Sequence, residues 1–131
     1  MALIRNIGKF SPSSTALFLC DMQVKFQPSI TKFENVVSNS NKVLHAAQVM
    51  EMPTFATEQY PKGLGATVPE LEIAKFNIVP HSKTCFTMII PELLEQMNSS
   101  MPETKSVILC GIETQACITA TTLGNLKEEF S

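Results

Sequence analysis

The amino-acid sequence predicts an α/β fold: a parallel sheet with helices on both of its faces. Short apolar runs alternate with helical patterns along the chain, and that alternation requires right-handed crossovers between parallel strands. Two of the runs, TALFLC at Thr15–Cys20 and SVILC at residues 106–110, are continuous in apolar residues, as in strands buried on both faces. The second run breaks at Gly111, and a helical pattern opens within GIETQACITATT (residues 111–122). A strand that turns tightly into a helix sets a side chain at the carboxyl edge of the sheet, under the first helical N–H groups.

A length of 131 residues suits one domain with a moderate core, and 44% hydrophobic with 17% charged residues is a globular composition. The net charge of -2 gives no reason to expect nucleic acid as a partner. No apolar run approaches transmembrane length. The four cysteines, Cys20, Cys85, Cys110 and Cys117, form no CxxC pair, which argues against zinc ribbons and thioredoxin-like redox motifs. Three of them lie in or beside strand-like runs, pointing to reduced thiols in an intracellular, cytoplasmic setting. Residues 1–14 carry Arg5 and Lys9, no acid, and no long apolar core of a secretory signal. They read as a flexible lead-in, with a mitochondrial presequence as the alternative, and residues 15–131 read as the domain.

The elements follow in order. The first strand is Thr15–Cys20, and residues 22–29 form a loop that Pro28 keeps irregular. Residues 34–50 predict an amphipathic helix, with Val36, Val37, Ser40, Val43, Leu44, Ala47 and Met50 on one face. His45 lies beside that stripe and carries no role. Residues 53–57 (PTFAT) predict the second strand, and residues 58–65 (EQYPKGLG) a loop by their Pro and Gly content. The glycines make no GxGxxG, so no dinucleotide fingerprint exists. One helical turn is expected at residues 70–74, a third strand at residues 76–79 (FNIV), and a helix at residues 91–98 with Pro91 in its first turn. A polar link at residues 99–105 leads into the fourth strand.

Two residues then stand out. Asp21 ends the first strand, where an acid is costly unless paired or used; capping of the next turn is the structural alternative. Cys117 falls where the last helix opens, and the positive end of a helix dipole favours a thiolate. Packing as a small apolar side chain is the alternative there. In parallel sheets ligands bind beyond the carboxyl ends of the strands, near the switch in strand order. With the order 3-2-1-4, the first and fourth strands are neighbours, and the acid and the thiol share one crevice.

The stretches CDMQ (residues 20–23), TEQYPKGLG (57–65), KTCF (83–86) and CGIETQACI (110–118) resemble the isochorismatase-like cysteine hydrolase superfamily. The resemblance implies a Rossmann-like fold and a triad of Asp21, Lys83 and Cys117, with the lysine after the third strand. It further implies covalent attack by the cysteine on a carbonyl carbon of a small amide, carbamoyl or related compound. A thiol at its free pKa is mostly protonated at neutral pH, so it needs a base and a cation nearby. A cis peptide bond at Ile112–Glu113 and an oxyanion hole from the N–H groups of Glu113 and Cys117 belong to the same implication. Nicotinamidases of the superfamily carry metal-binding Asp and His in the loop after the second strand. Here that loop is Glu58-Gln59-Tyr60-Pro61, without His, so no catalytic metal and no cofactor are expected. Gln59 and Tyr60 are expected to face the substrate, and Gln23 to fix Asp21 or line the pocket. Cys85 is expected to pack, His81 to lie in a solvated loop, and Cys20 and Cys110 to be inert.

The family sheet implied by the resemblance has six strands in the order 3-2-1-4-5-6, of which four are found. After Thr122 the sequence LGNLKEEFS leaves the family pattern, so the chain reads as a form lacking the last two strands. Leu123, Leu126 and Phe130 continue a helical apolar face, in which Gly124 costs about 1 kcal/mol relative to Ala. A fourth strand partnered on one side invites association. The expectation is a marginally stable chain that forms homo-oligomers or needs a protein partner, with weak or no activity although the implied triad is complete. The rival functional reading is a silent interaction module.

Overall fold

The computed structural model describes residues 9–127. Its strands are β1 (Thr15–Cys20), β2 (Thr54–Gln59), β3 (His81–Lys83) and β4 (Ser106–Gly111). Its helices are α1 (Phe33–Val49), the single turn α2 (Pro61–Leu64), α3 (Pro91–Ser100) and α4 (Thr119–Lys127). All strand pairs are parallel, and the sheet order is β3-β2-β1-β4, as predicted.

β1 is central and buried at all six positions, which its unbroken apolar run demands. Side-chain alternation divides it between two cores. Leu17 and Leu19 pack with Phe33, Val37, Leu44 and Ala47 of α1 on one face. Ala16, Phe18 and Cys20 face the other layer, with Leu93 and Met97 of α3 and with Cys117. β4 pairs with β1 from Thr15 opposite Ser106 to Cys20 opposite Gly111. It is half-buried throughout, and among the described residues its outer edge has no strand partner.

Several elements differ from the sequence expectation. Residues 76–79 are not the third strand. Phe76 closes a 3-10 turn (Ile73–Phe76) and Asn77 has left-handed backbone at φ 57°. The apolar character there serves core packing through Ile78. β3 starts after Pro80 and is defined by pairing of His81, Ser82 and Lys83 with Thr57, Glu58 and Gln59. β2 accordingly runs two residues further than expected, to Gln59. Residues 70–74 fall in two successive 3-10 turns rather than one helical turn. Met50 is exposed beyond the end of α1. α4 forms, but Leu123 and Leu126 are exposed rather than on a buried face, and Phe130 lies outside the described residues. Gly124 lies close against Ile89 and Thr87, so its missing side chain leaves room for that loop.

The turn out of β4 is set by Gly111. Its φ of 133° belongs to backbone that L-residues rarely adopt, and a Cβ there would collide with the Cys20 carbonyl oxygen. Gly111→Ala is therefore expected to destabilise the chain by about 3 kcal/mol through combined strain and overlap. Urea unfolding of the two proteins measures the difference.

Candidate active site

The carboxyl ends of three strands deliver one cluster. Asp21 follows β1, Lys83 closes β3, and Cys117 sits in a π-helical turn (Thr114–Ile118) between β4 and α4. Lys83 is the last residue of its strand rather than a residue beyond it, because the strand itself lies later than the hydrophobic pattern suggested. Asp21, Lys83 and Cys117 are 0%, 4% and 7% exposed, so their charges interact with little solvent screening. The peptide bond Ile112–Glu113 leading into the π-helical turn is cis.

Lys83 is the hub. Its Nζ lies 2.8 Å from Asp21 Oδ2 and donates to Cys117 Sγ at 3.6 Å. It also donates to Gln59 Oε1 at 2.7 Å and to the carbonyls of Cys85 and Phe86 at 3.0 Å each. Asp21 has left-handed backbone at φ 52°, a conformation that Asp tolerates better than most residues. Its Oδ1 accepts from Thr57 Oγ1 at 2.8 Å. Its Oδ2 meets Lys83 as an ion pair and takes no directed hydrogen bond, which leaves a buried acceptor beside the thiol.

Cys20 joins this cluster. The sulfurs of Cys20 and Cys117 and a carboxylate oxygen of Asp21 all lie within 4.8 Å of one another. The Cys117 thiol is held below its ordinary value, first by the neighbouring Cys20 thiol and then by the Lys83 charge, which together outweigh burial and Asp21. The Cys20 thiol is pushed up by the neighbouring Cys117 thiol, by burial and by Asp21. Burial also raises Cys110, on the opposite face of the sheet. Two thiols and a carboxylate form a set able to hold a soft divalent ion. The Lys83 ammonium already supplies a cation at Asp21 and competes for that place.

A scan against protein-family models matches residues 15–131 to the isochorismatase domain. This chain belongs to the isochorismatase family. It is 48% identical over 130 residues to isochorismatase domain-containing protein 2 of Xenopus laevis, covering 99% of this chain and 62% of that protein. The human protein of that name is 48% identical over 118 residues, covering 90% of this chain and 56% of its own length. The chain thus spans less than two thirds of the length of these curated relatives. Among solved structures, MAR1 ribonuclease from Caenorhabditis elegans superposes with a TM-score of 0.81 at 37% identity, covering 92% of this chain and 61% of that one.

In this isochorismatase domain the expected substrate-facing residues divide. Gln23 is fully buried, and its side chain bonds only backbone: Nε2 donates to Gln59 O at 2.9 Å and Gly65 O at 2.8 Å, and Oε1 accepts from Gln59 N at 2.7 Å. It fastens the segment after Asp21 to the end of β2 and presents nothing to a substrate. Gln59 is half-buried with Oε1 turned to Lys83, and Tyr60 is exposed at the rim. A cleft of about 450 Å³ opens over Lys83 between Tyr60 and the start of α3, lined also by Cys85 and Ile90. Of Asp21, Lys83 and Cys117 only Lys83 lines this cleft, and two larger clefts, about 700 and 630 Å³, lie elsewhere and contain none of the three. Cys85 is exposed rather than packed, with its thiol directed to the Thr87 carbonyl at 3.5 Å. His81 is half-buried and bonded to Gln96 Oε1 at 2.6 Å, away from the cluster.

Thr57 and Thr121 escaped the sequence reading. Thr121 donates to the Cys117 carbonyl at 2.6 Å and accepts from Met88 N at 2.9 Å, tying the π-helical turn to the loop after β3. Its position four residues after Cys117 on a helical pattern was the available signal. Because Asp21 and Lys83 are both buried, removing one partner leaves an uncompensated charge. Lys83→Ala is expected to lose about 3–5 kcal/mol of stability, several times the cost of an ordinary surface substitution. Denaturant melts of Lys83→Ala beside Lys62→Ala, an exposed lysine, test this.

Proposed function

We propose that this chain acts as a metal-independent cysteine hydrolase on small amides, carbamoyl compounds or related carbonyl compounds. The observation that carries the reading is the single ammonium of Lys83 placed against both Asp21 and Cys117. One cation beside a carboxylate and a thiol lowers the energy of both anions and favours proton transfer between them.

The Cys117 proton passes to Asp21, and the thiolate sulfur bonds to the substrate carbonyl carbon. The carbonyl π pair moves onto oxygen, which the N–H groups of Glu113 and Cys117 receive. The Glu113 N–H meets no acceptor among the described residues, which supports that role. Collapse of the tetrahedral species breaks the carbon–nitrogen bond, and the leaving amine takes the proton from Asp21. Water then adds to the thioester as Asp21 accepts its proton, the acid leaves, and the thiol reforms. The amide of Gln59, anchored through Oε1 to Lys83, keeps its Nε2 group for the substrate, and Tyr60 forms the rim. The C. elegans relative is described as a ribonuclease; a cleft of about 450 Å³ on a chain of net charge -2 suits a small uncharged substrate better than a polyanion.

Purified chain screened against small amides, ureas and esters is expected to show turnover that Cys117→Ala abolishes with the fold intact. Cys85→Ala should keep most of it. Near-normal turnover by Cys117→Ala would overturn the assignment, and no turnover on any class would favour the interaction-module reading. Activity is also expected to survive exhaustive chelation. Loss of activity together with stoichiometric zinc would contradict the metal-free mechanism.

A further inference from the structure

We propose that Cys20 is a positioning residue for the nucleophile: its S–H, fixed at the last position of β1, serves as hydrogen-bond donor to the Cys117 sulfur and sets that sulfur's orientation and reactivity. The inference rests on the reading of Cys117 as nucleophile.

Strand parity places Cys20 on the face of the sheet that also receives Cys117. Its sulfur lies within 4.8 Å of both Cys117 Sγ and an Asp21 oxygen. It is fully buried, in a central strand, so it has no water to bond. The charged and titratable groups facing it are Asp21, Lys83 and Cys117, and burial among them keeps the Cys20 thiol protonated at neutral pH. A protonated thiol is a donor in need of an acceptor. Asp21 Oδ1 accepts from Thr57 and Oδ2 is paired with the Lys83 ammonium, while the Cys117 sulfur receives only the long Lys83 contact at 3.6 Å and keeps lone-pair room for a second donor. No bond from Lys83 to Cys20 is present among the described residues, whereas Lys83 does reach Cys117, so the two thiols have different parts.

The backbone enforces the same relation. The Cys20 carbonyl accepts the Ile112 N–H at 3.1 Å and packs against Gly111. One residue therefore holds the entry to the Cys117 turn by its main chain and faces the nucleophile with its side chain.

The test is alkylation of Cys117 by iodoacetamide across pH, followed peptide by peptide by mass spectrometry so that exposed Cys85 does not obscure it. The parent is compared with Cys20→Ser, which keeps a donor, and Cys20→Val, which is close in size and has none. Thermal melts run beside each, and Cys20→Ala replaces the valine variant if that one does not melt cooperatively. The expected result is a Cys117 midpoint below the usual thiol value of about 8.5 in the parent, close to parental in Cys20→Ser, and raised by about one pH unit without the donor. An unmoved midpoint in the donor-free variant, or equal shifts in both variants, overturns the role of Cys20 alone. An ordinary midpoint for Cys117 in the parent overturns this role and the assignment of the nucleophile together.

Discussion

The buried pairing of Asp21 with Lys83 is the constraint on which the rest of the site depends. Neither charge is accessible to water, and the desolvation of two ions exceeds what a bare contact between them returns. The structure answers with further partners: Thr57 for the carboxylate, and Gln59, two carbonyls and a sulfur for the ammonium. Two of those partners come from β2, the strand lying between β1 and β3. The order of the sheet and the solvation of the ion pair are thus one arrangement. Moving β2 would strip both charges of their support.

Much of this was readable from the chain. β1 was found to the residue because an unbroken apolar run bounded by an acid has few other meanings. The parallel sheet followed from alternating elements and the crossover rule, and the order of its strands from the family resemblance. Asp21, Lys83 and Cys117 meet because strand ends in a parallel sheet share an edge, which is topology rather than local propensity. The third strand was not readable in the same way. HSK has no hydrophobic pattern, and its extended form comes from pairing with the end of β2. FNIV has the pattern but spends it on the core under α1. Short edge strands are specified by their neighbours, which a local reading does not include.

The side chains around Asp21, Lys83 and Cys117 were harder still. Gln23 looks like a pocket residue because it stands two places from Asp21, yet its amide is consumed by backbone. Cys20 reads as inert from its place within an apolar strand. Counting by twos from Phe18 would have put it on the face toward α3, and only the path of the Gly111–Cys117 segment brings the second sulfur to it. The distinction between a packed thiol and one facing a second thiol lies in that long-range return of the chain.

The six-position pairing of β1 with β4 has a mechanical meaning. Asp21 follows one strand and Cys117 follows the other, with Cys20 opposite Gly111 at the end of the ladder. A slip of a single residue would carry the thiol about 3.3 Å along the sheet and exchange the faces of β4. The meeting of carboxylate and thiol is therefore a vernier on the alignment of two strands, legible only when their scales coincide. The contact at one sulfur depends on the whole edge of the sheet having closed in its native register.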